Sequence, residues 1–196
     1  MRNYIGCELL NGWKINCNSK LIGGISELYL IKRTNISNLG YSFDDDEKIT
    51  FISYINSTKF YKFDIIKEVA TYDNKEVEDD RTGLIYWNSE FKFQLAPNHA
   101  KARKQLLQML KTPLIAVWKD NNGRYWLEGK EKGCIINASI TMGKLYSDTN
   151  AEQLTLSAFE NKPMYEVVAS AVTYYLSSVI SIPSPTGDLQ SSTGID

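Results

Sequence analysis

The sequence predicts a mainly β fold with one or two helices, and three observations carry that reading. Apolar and polar residues alternate with period two from Leu84 to Leu95. Lys119-Asp120-Asn121-Asn122-Gly123 separates two apolar runs with the residue types that a tight hairpin needs, because Asn and Gly tolerate positive φ. The segment from Asn98 to about Lys111 is the one internal stretch that joins a helix cap to an apolar stripe of helical period, Ala102, Leu106, Met109 and Leu110.

In chain order, Gly23-Gly24 punctuates the start, and Ile25 to Ile31 reads as a strand rich in β-branched and aromatic residues. A second strand follows, with Ile49, Phe51 and Ile55 on one face and Ile52 and Tyr54 on the other; apolar residues on both faces predict a central position. Phe60 to Tyr72 reads as one longer, half-buried strand, with Phe63, Ile65 and Val69 opposite Lys62, Asp64 and Glu68. Leu84 to Leu95 turns Ile85, Trp87, Phe91, Phe93 and Leu95 inward. The polar run from Asp73 to Gly83 between these two strands reads as a hairpin loop, longer than the usual two to five residues. The helix stops at Thr112-Pro113, after which Leu114 to Trp118 and Arg124 to Gly129 flank the Asn-Gly hairpin. Cys134 to Gly143 and Gln153 to Phe159 continue the strand pattern. Pro163 marks a boundary between a β domain over residues 1–163 and residues 164–196, a C-terminal arm or helix followed by a polar tail.

Composition narrows the function. With 43% hydrophobic residues against 23% charged, the chain can bury a real core. The 22 basic and 23 acidic residues leave a net charge of −1, so no global field draws it to nucleic acid, and any DNA contact must be local or deliberately slippery. Cys7, Cys17 and Cys134 are odd in number and lack metal-site spacing, which predicts free, buried thiols in a reducing compartment. Met1 to Asn18 contains no apolar run of the leader type, and Val167 to Ile182 is too short and too interrupted to span a bilayer. A cytosolic origin without membrane attachment is expected.

Catalytic and metal motifs are hard to find. His99 is the sole histidine, and it is expected in the first turn of the helix, where a capping or solvent-facing role suffices. The acidic runs Asp44-Asp45-Asp46-Glu47 and Glu78-Asp79-Asp80 project their carboxylates in different directions and lack the calcium-loop order, so solvated loop charge is the simpler reading. Lys101, Arg103, Lys104 and Lys111 lie beside or opposite the apolar stripe, as on any surface helix. No phosphate-loop, dinucleotide or nucleophile-elbow motif occurs. The expectation is a chain that is no enzyme, has no cofactor or metal, and works through assembly.

The run Leu114-Ile115-Ala116-Val117-Trp118-Lys119-Asp120-Asn121-Asn122-Gly123-Arg124-Tyr125-Trp126-Leu127-Glu128-Gly129, then Ser147-Asp148, then Gln153-Leu154-Thr155-Leu156-Ser157-Ala158-Phe159-Glu160, resembles structural proteins of tailed bacteriophages, including crAss-like phages. The order of elements likewise resembles their tail tube fold. Two positions depart from the pattern, Ala158 where the family run has Gly and Asn150-Ala151 where it has Asn-Gly. The resemblance implies a β-sandwich or barrel of the tail tube type with a flanking α-helix. It also implies a ring of six or twelve copies in the neck or tail, lining a channel for transient, non-specific DNA passage. Partners would be the adjacent virion ring, the portal or other tail proteins, with the ring assembled in the host cytoplasm and located in the virion. Within that reading the charged loop is the assembly loop, through Asp73, Glu76, Glu78, Asp79, Asp80 and Arg81. Readings from other classes are a carbohydrate-binding module acting through exposed Trp118 or Trp126, and a cell-wall hydrolase dependent on Asp79 or Asp80.

Overall fold

The structure, a computed structural model, describes residues 22–55, 57–63, 65, 68–95, 104, 107–141 and 151–175. His99, Cys7, Cys17, Ser147, Asp148 and Asn150 lie outside them. The fold is mainly β, with twelve strands in two sheets. In chain order these are β1 (Ile25–Lys32), β2 (Ile36–Phe43), β3 (Ile49–Tyr54), β4 (Phe60–Phe63), β5 (Thr71–Glu78), β6 (Ile85–Leu95), β7 (Leu114–Asp120), β8 (Tyr125–Glu128), β9 (Ile135–Thr141), β10 (Ala151–Glu160), β11 (Tyr165–Val167) and β12 (Tyr174–Tyr175). The larger sheet runs β12-β4-β1-β7-β8-β11-β3-β2, and the smaller β5-β6-β10-β9.

β1 and β7 are the spine. They pair antiparallel from Lys32↔Leu114 to Ile25↔Asp120, and they are apolar on both faces because both faces are covered. Leu28, Leu30, Leu114, Ala116 and Trp118 meet Phe91, Phe93, Ile136, Leu154, Leu156 and Ala158 of the smaller sheet in one core. The opposite face, with Tyr29, Ile31, Ile115 and Val117, joins Ile36, Ile49, Ile52, Phe60 and Val167 in a second core. Chain connectivity forces that second core. β3 and β4 stand five strand spacings apart in the sheet order, roughly 24 Å if it were flat. The short link from Tyr54 to Phe60 reaches at most about 20 Å. The larger sheet therefore rolls, and the Tyr54 and Phe60 rings meet edge to face at 6.0 Å. The Tyr54 hydroxyl stitches the roll further by donating to the Ala171 carbonyl at 3.0 Å and accepting from the Thr173 amide at 3.2 Å.

Several expectations need correction. The expected strand from Phe60 to Tyr72 is two strands in different sheets: β4 ends at Phe63 and β5 begins at Thr71, with Glu68 at φ 64 in the crossover. β3 is not central but lies one strand in from the β2 edge. Its faces also differ from strict alternation. Ser42 pairs with Phe51 and Phe43 with Ile49, so Thr50 is an extra residue, and the bulge puts Ile49 and Ile52 inside while Phe51 is 56% exposed. The boundary at Pro163 does not divide the structure, because β11 inserts between β8 and β3 in the larger sheet. Residues 165–175 are thus integral strands and a short 3-10 turn, not a separate arm or helix. Of the expected flanking helix, Lys104 and residues 107–109 are helical, with Met109 and Leu110 packed on the intersheet core, and its first part lies outside the described residues. Thr112 ends it, its amide donating to the Met109 carbonyl at 3.2 Å. No described helix is long and apolar enough to cross a membrane.

Candidate functional site

The Asp73 to Gly83 segment is not a loop. Residues 71–78 form β5, paired with β6 from Thr71↔Lys92 to Glu78↔Ile85, and only the turn beyond Glu78 is irregular. The physical reason is its edge position: β5 has one strand neighbour, so charged residues can face water on its outer side without breaking the ladder. The turn is built by Asp79. Its carboxylate accepts from the Arg81 amide at 2.8 Å and the Thr82 amide at 3.3 Å, its carbonyl accepts from the Gly83 amide at 2.7 Å, and Gly83 takes φ 65. A non-glycine residue would be strained there.

The six residues expected to drive assembly are consequently spread along a hairpin. Asp73 lies on the outer face, ion-paired to Lys75 at 2.7 Å. Glu76 and Glu78 stand opposite Trp87 and Ile85, while Asp79, Asp80 and Arg81 form the tip. β10 ends at Glu160↔Trp87, so the hairpin projects past the smaller sheet by about three residue pairs, roughly 10 Å. Leu84 and Ile85 on this projection are 59% and 38% exposed.

Behind the hairpin, the outer face of the smaller sheet is polar and self-neutralised. Asp73 and Glu90 face each other across β5 and β6, each held by a lysine of its own strand, Lys75 and Lys92, the latter pair at 2.6 Å. Two acids against two lysines leave this face neutral, and Asn88, Gln153, Asn137 and Ser139 continue it as exposed polar residues. Val77, Tyr86, Phe159 and Ile135 form its one apolar end, with Tyr86 and Phe159 rings at 5.9 Å.

Sequence reasoning missed the buried carboxylates. Glu128 of the larger sheet and Glu160 and Glu152 of the smaller are 5%, 3% and 2% exposed, and the charge of Glu128 acts on Glu160. The Tyr72 hydroxyl donates to Glu128 at 2.8 Å, and the Glu131 amide donates to both Glu160 oxygens at 3.1 Å. Burial pushes the Glu160 carboxyl up to about 7, with the amides of Glu131 and Lys132 opposing and the Glu128 charge adding to it. Burial raises Glu128 as well, against hydrogen bonds from Tyr72 and Ser89. Cys134 is free and buried, its thiol pushed up by burial with the charges of Glu128 and Glu160 adding to it. Nearby, the Lys130 ammonium sits over the rings of Tyr165, Phe43 and Tyr41 at 4.8, 5.1 and 5.9 Å. A signal was available: Glu160 keeps the inward parity of Leu154, Leu156 and Ala158 on β10. Among the described residues no group of three His, Cys, Asp or Glu side chains could hold a metal ion.

The tryptophans do not offer a sugar platform of the expected kind. Trp118 is 2% exposed, stacked on Phe91 at 5.1 Å and packed on Tyr72 at 4.5 Å. Trp126 is half-buried, and its indole donates to Asp120 at 3.1 Å, the residue whose carboxylate also receives the Asn122 and Arg124 amides. The expected Asn-Gly hairpin is present, with Gly123 at φ 84. Its Asn121 and Asn122 amide groups bind the carbonyls of Gly23 and Ile22.

The fold and its surface define a two-sheet β protein with a projecting acidic hairpin. No family model matches this sequence, and no curated protein or solved structure matches it.

Proposed function

We propose that this chain is a virion structural protein of a tailed phage whose copies form a ring in the neck or tail. The ring lines a channel for genome passage and joins neighbouring virion components, and the chain has no catalytic role. One observation carries the reading: a four-stranded sheet whose edge strands β5 and β9 have no outer strand neighbour among the described residues, and whose outer face is polar and neutral. Open edges let a sheet continue from copy to copy, and a heterologous contact of this kind closes into a ring when its rotation allows. A neutral polar lumen releases few counterions and so lets DNA slide without sticking. The sandwich and the rolled larger sheet suit the tail tube type that the hairpin motifs resemble. A carbohydrate-binding role through Trp118 has no surface to use, since that ring is in the core.

The test is native mass spectrometry with electron microscopy of the purified full chain, alone and with its neighbouring virion proteins. A discrete ring, six or twelve copies, with an open centre is expected. A monomer at all concentrations up to tens of micromolar, in both settings, would refute the reading.

A further inference from the structure

The projecting hairpin and one groove of the larger sheet both expose apolar residues and carry opposite charge. The segment from Glu76 to Ile85 presents exposed Leu84 and Ile85 and carries four acidic residues, Glu76, Glu78, Asp79 and Asp80, and one basic residue, Arg81, a formal charge of −3. β6 has no second strand neighbour beyond Trp87, so the projection is free to enter another surface. The groove is a cavity of about 450 Å³ between the end of β1, β4 and the helical residues 104 and 107–109. Tyr61, Phe63, Met109 and Leu114 give it apolar walls, and Lys32 and Lys104 flank it. Neither lysine has an ion-pair partner among the described residues. No groove residue belongs to the hairpin of the same chain.

We propose that the β5–β6 hairpin of one copy docks into this groove of a second copy, with Leu84 and Ile85 against the apolar walls and the tip carboxylates against Lys32 and Lys104. The inference rests on the ring reading and names the contact that would build the ring. Hairpin and groove are different surfaces, so the contact is heterologous and each copy both gives and receives a hairpin. Apolar burial supplies the affinity, and the charges fix orientation and exclude wrong partners. Because each copy carries one of each, the contact propagates until it closes.

The experiment is a charge reversal with rescue in the full chain, read by native mass spectrometry. Glu76→Lys with Asp80→Lys, and separately Lys32→Glu with Lys104→Glu, should each weaken assembly by at least about tenfold. Combining all four reversals should restore it. Thermal melts check that every variant is folded, which is expected because the substituted positions are at the surface. Independently, Leu84→Cys mixed with Gln108→Cys should give disulfide-linked dimers on mild oxidation, and the variant carrying both cysteines should give longer multimers. If wild-type multimers survive both single reversals, or if the combined variant is not rescued, the hairpin contact is wrong while the ring reading stands. If the wild type is monomeric, the ring reading fails and takes this contact with it. Occupation of the groove by another segment of the same chain would show as protection of the Gln108→Cys thiol from alkylation in monomers, and would also overturn the proposal.

Discussion

Glu160→Gln should stabilise this protein above neutral pH and leave it almost unchanged near pH 5. The carboxyl is 3% exposed, and burial raises it from the ordinary 4.5 to about 7 in the folded chain. Between those two values the folded state holds a proton that the unfolded chain has released. Stability therefore falls as pH rises through this window and levels off above it. The full shift corresponds to at most about 3 kcal/mol. The charges of Glu128 and Glu131 act on the same region, which also holds Cys134 and Tyr165, so the observed loss should be about 1 to 3 kcal/mol. The amide of Gln cannot ionise, yet its carbonyl oxygen still accepts from the Glu131 amide. In thermal melts from pH 5 to 8.5, the wild-type midpoint should drop by about 3 to 8 °C more than that of the variant, which keeps the smaller dependence due to Glu128. Parallel curves for the two proteins would refute the assignment of the pH dependence to this group.

Three other outcomes follow from the same contacts. Tyr72→Phe removes the donor to buried Glu128 and should cost about 1 to 3 kcal/mol in urea unfolding, with an unchanged m-value. Asp120→Ala removes the acceptor of two backbone amides and the Trp126 indole, and should lower stability by about 1 to 2 kcal/mol with a shift in tryptophan fluorescence; an unchanged midpoint would mean that the turn closes on its backbone alone. Asn88→Lys with Gln153→Lys places two cations on the neutral sheet face, and should add about 1.8 to the slope of log affinity against log salt for duplex DNA. A wild type that already shows a steep slope would remove the slippery-lumen argument.

The parts of the fold that were legible in the sequence are those where one physical rule acts alone. β6 alternates cleanly because one face meets the core and the other meets water, and the Asn-Gly turn needs no tertiary partner. β2 was not legible: its sequence, Ile-Ser-Asn-Leu-Gly-Tyr-Ser-Phe, has low strand propensity, and its pairing is interrupted by two register shifts. β5 was misread as a loop for the reason that edge strands are hard to read, since charge on an edge guards against wrong pairing and costs the ladder nothing. Glu128 and Glu160 were invisible as a pair because they lie 32 positions apart and the charge of one acts on the other only when the two sheets close.

The change from loop to strand alters what the six assembly residues can do. A flexible loop of eleven residues would have to order itself on binding, and the backbone entropy of about 1 kcal/mol or more per residue would consume the gain from a few exposed ion pairs. In the structure residues 71–78 are already fixed by pairing with β6, and the tip is closed by the Asp79 carboxylate. Little order remains to be gained, so small charge and apolar contributions at the tip can count toward affinity. The same pairing makes the hairpin part of the sandwich, because Tyr72 at its base holds both Trp118 and Glu128. The tip proposed for docking and the base packed in the core are therefore two ends of one paired ribbon, and the proposed contact at Leu84 would act on the strand pair that carries Tyr72 and, through it, Glu128.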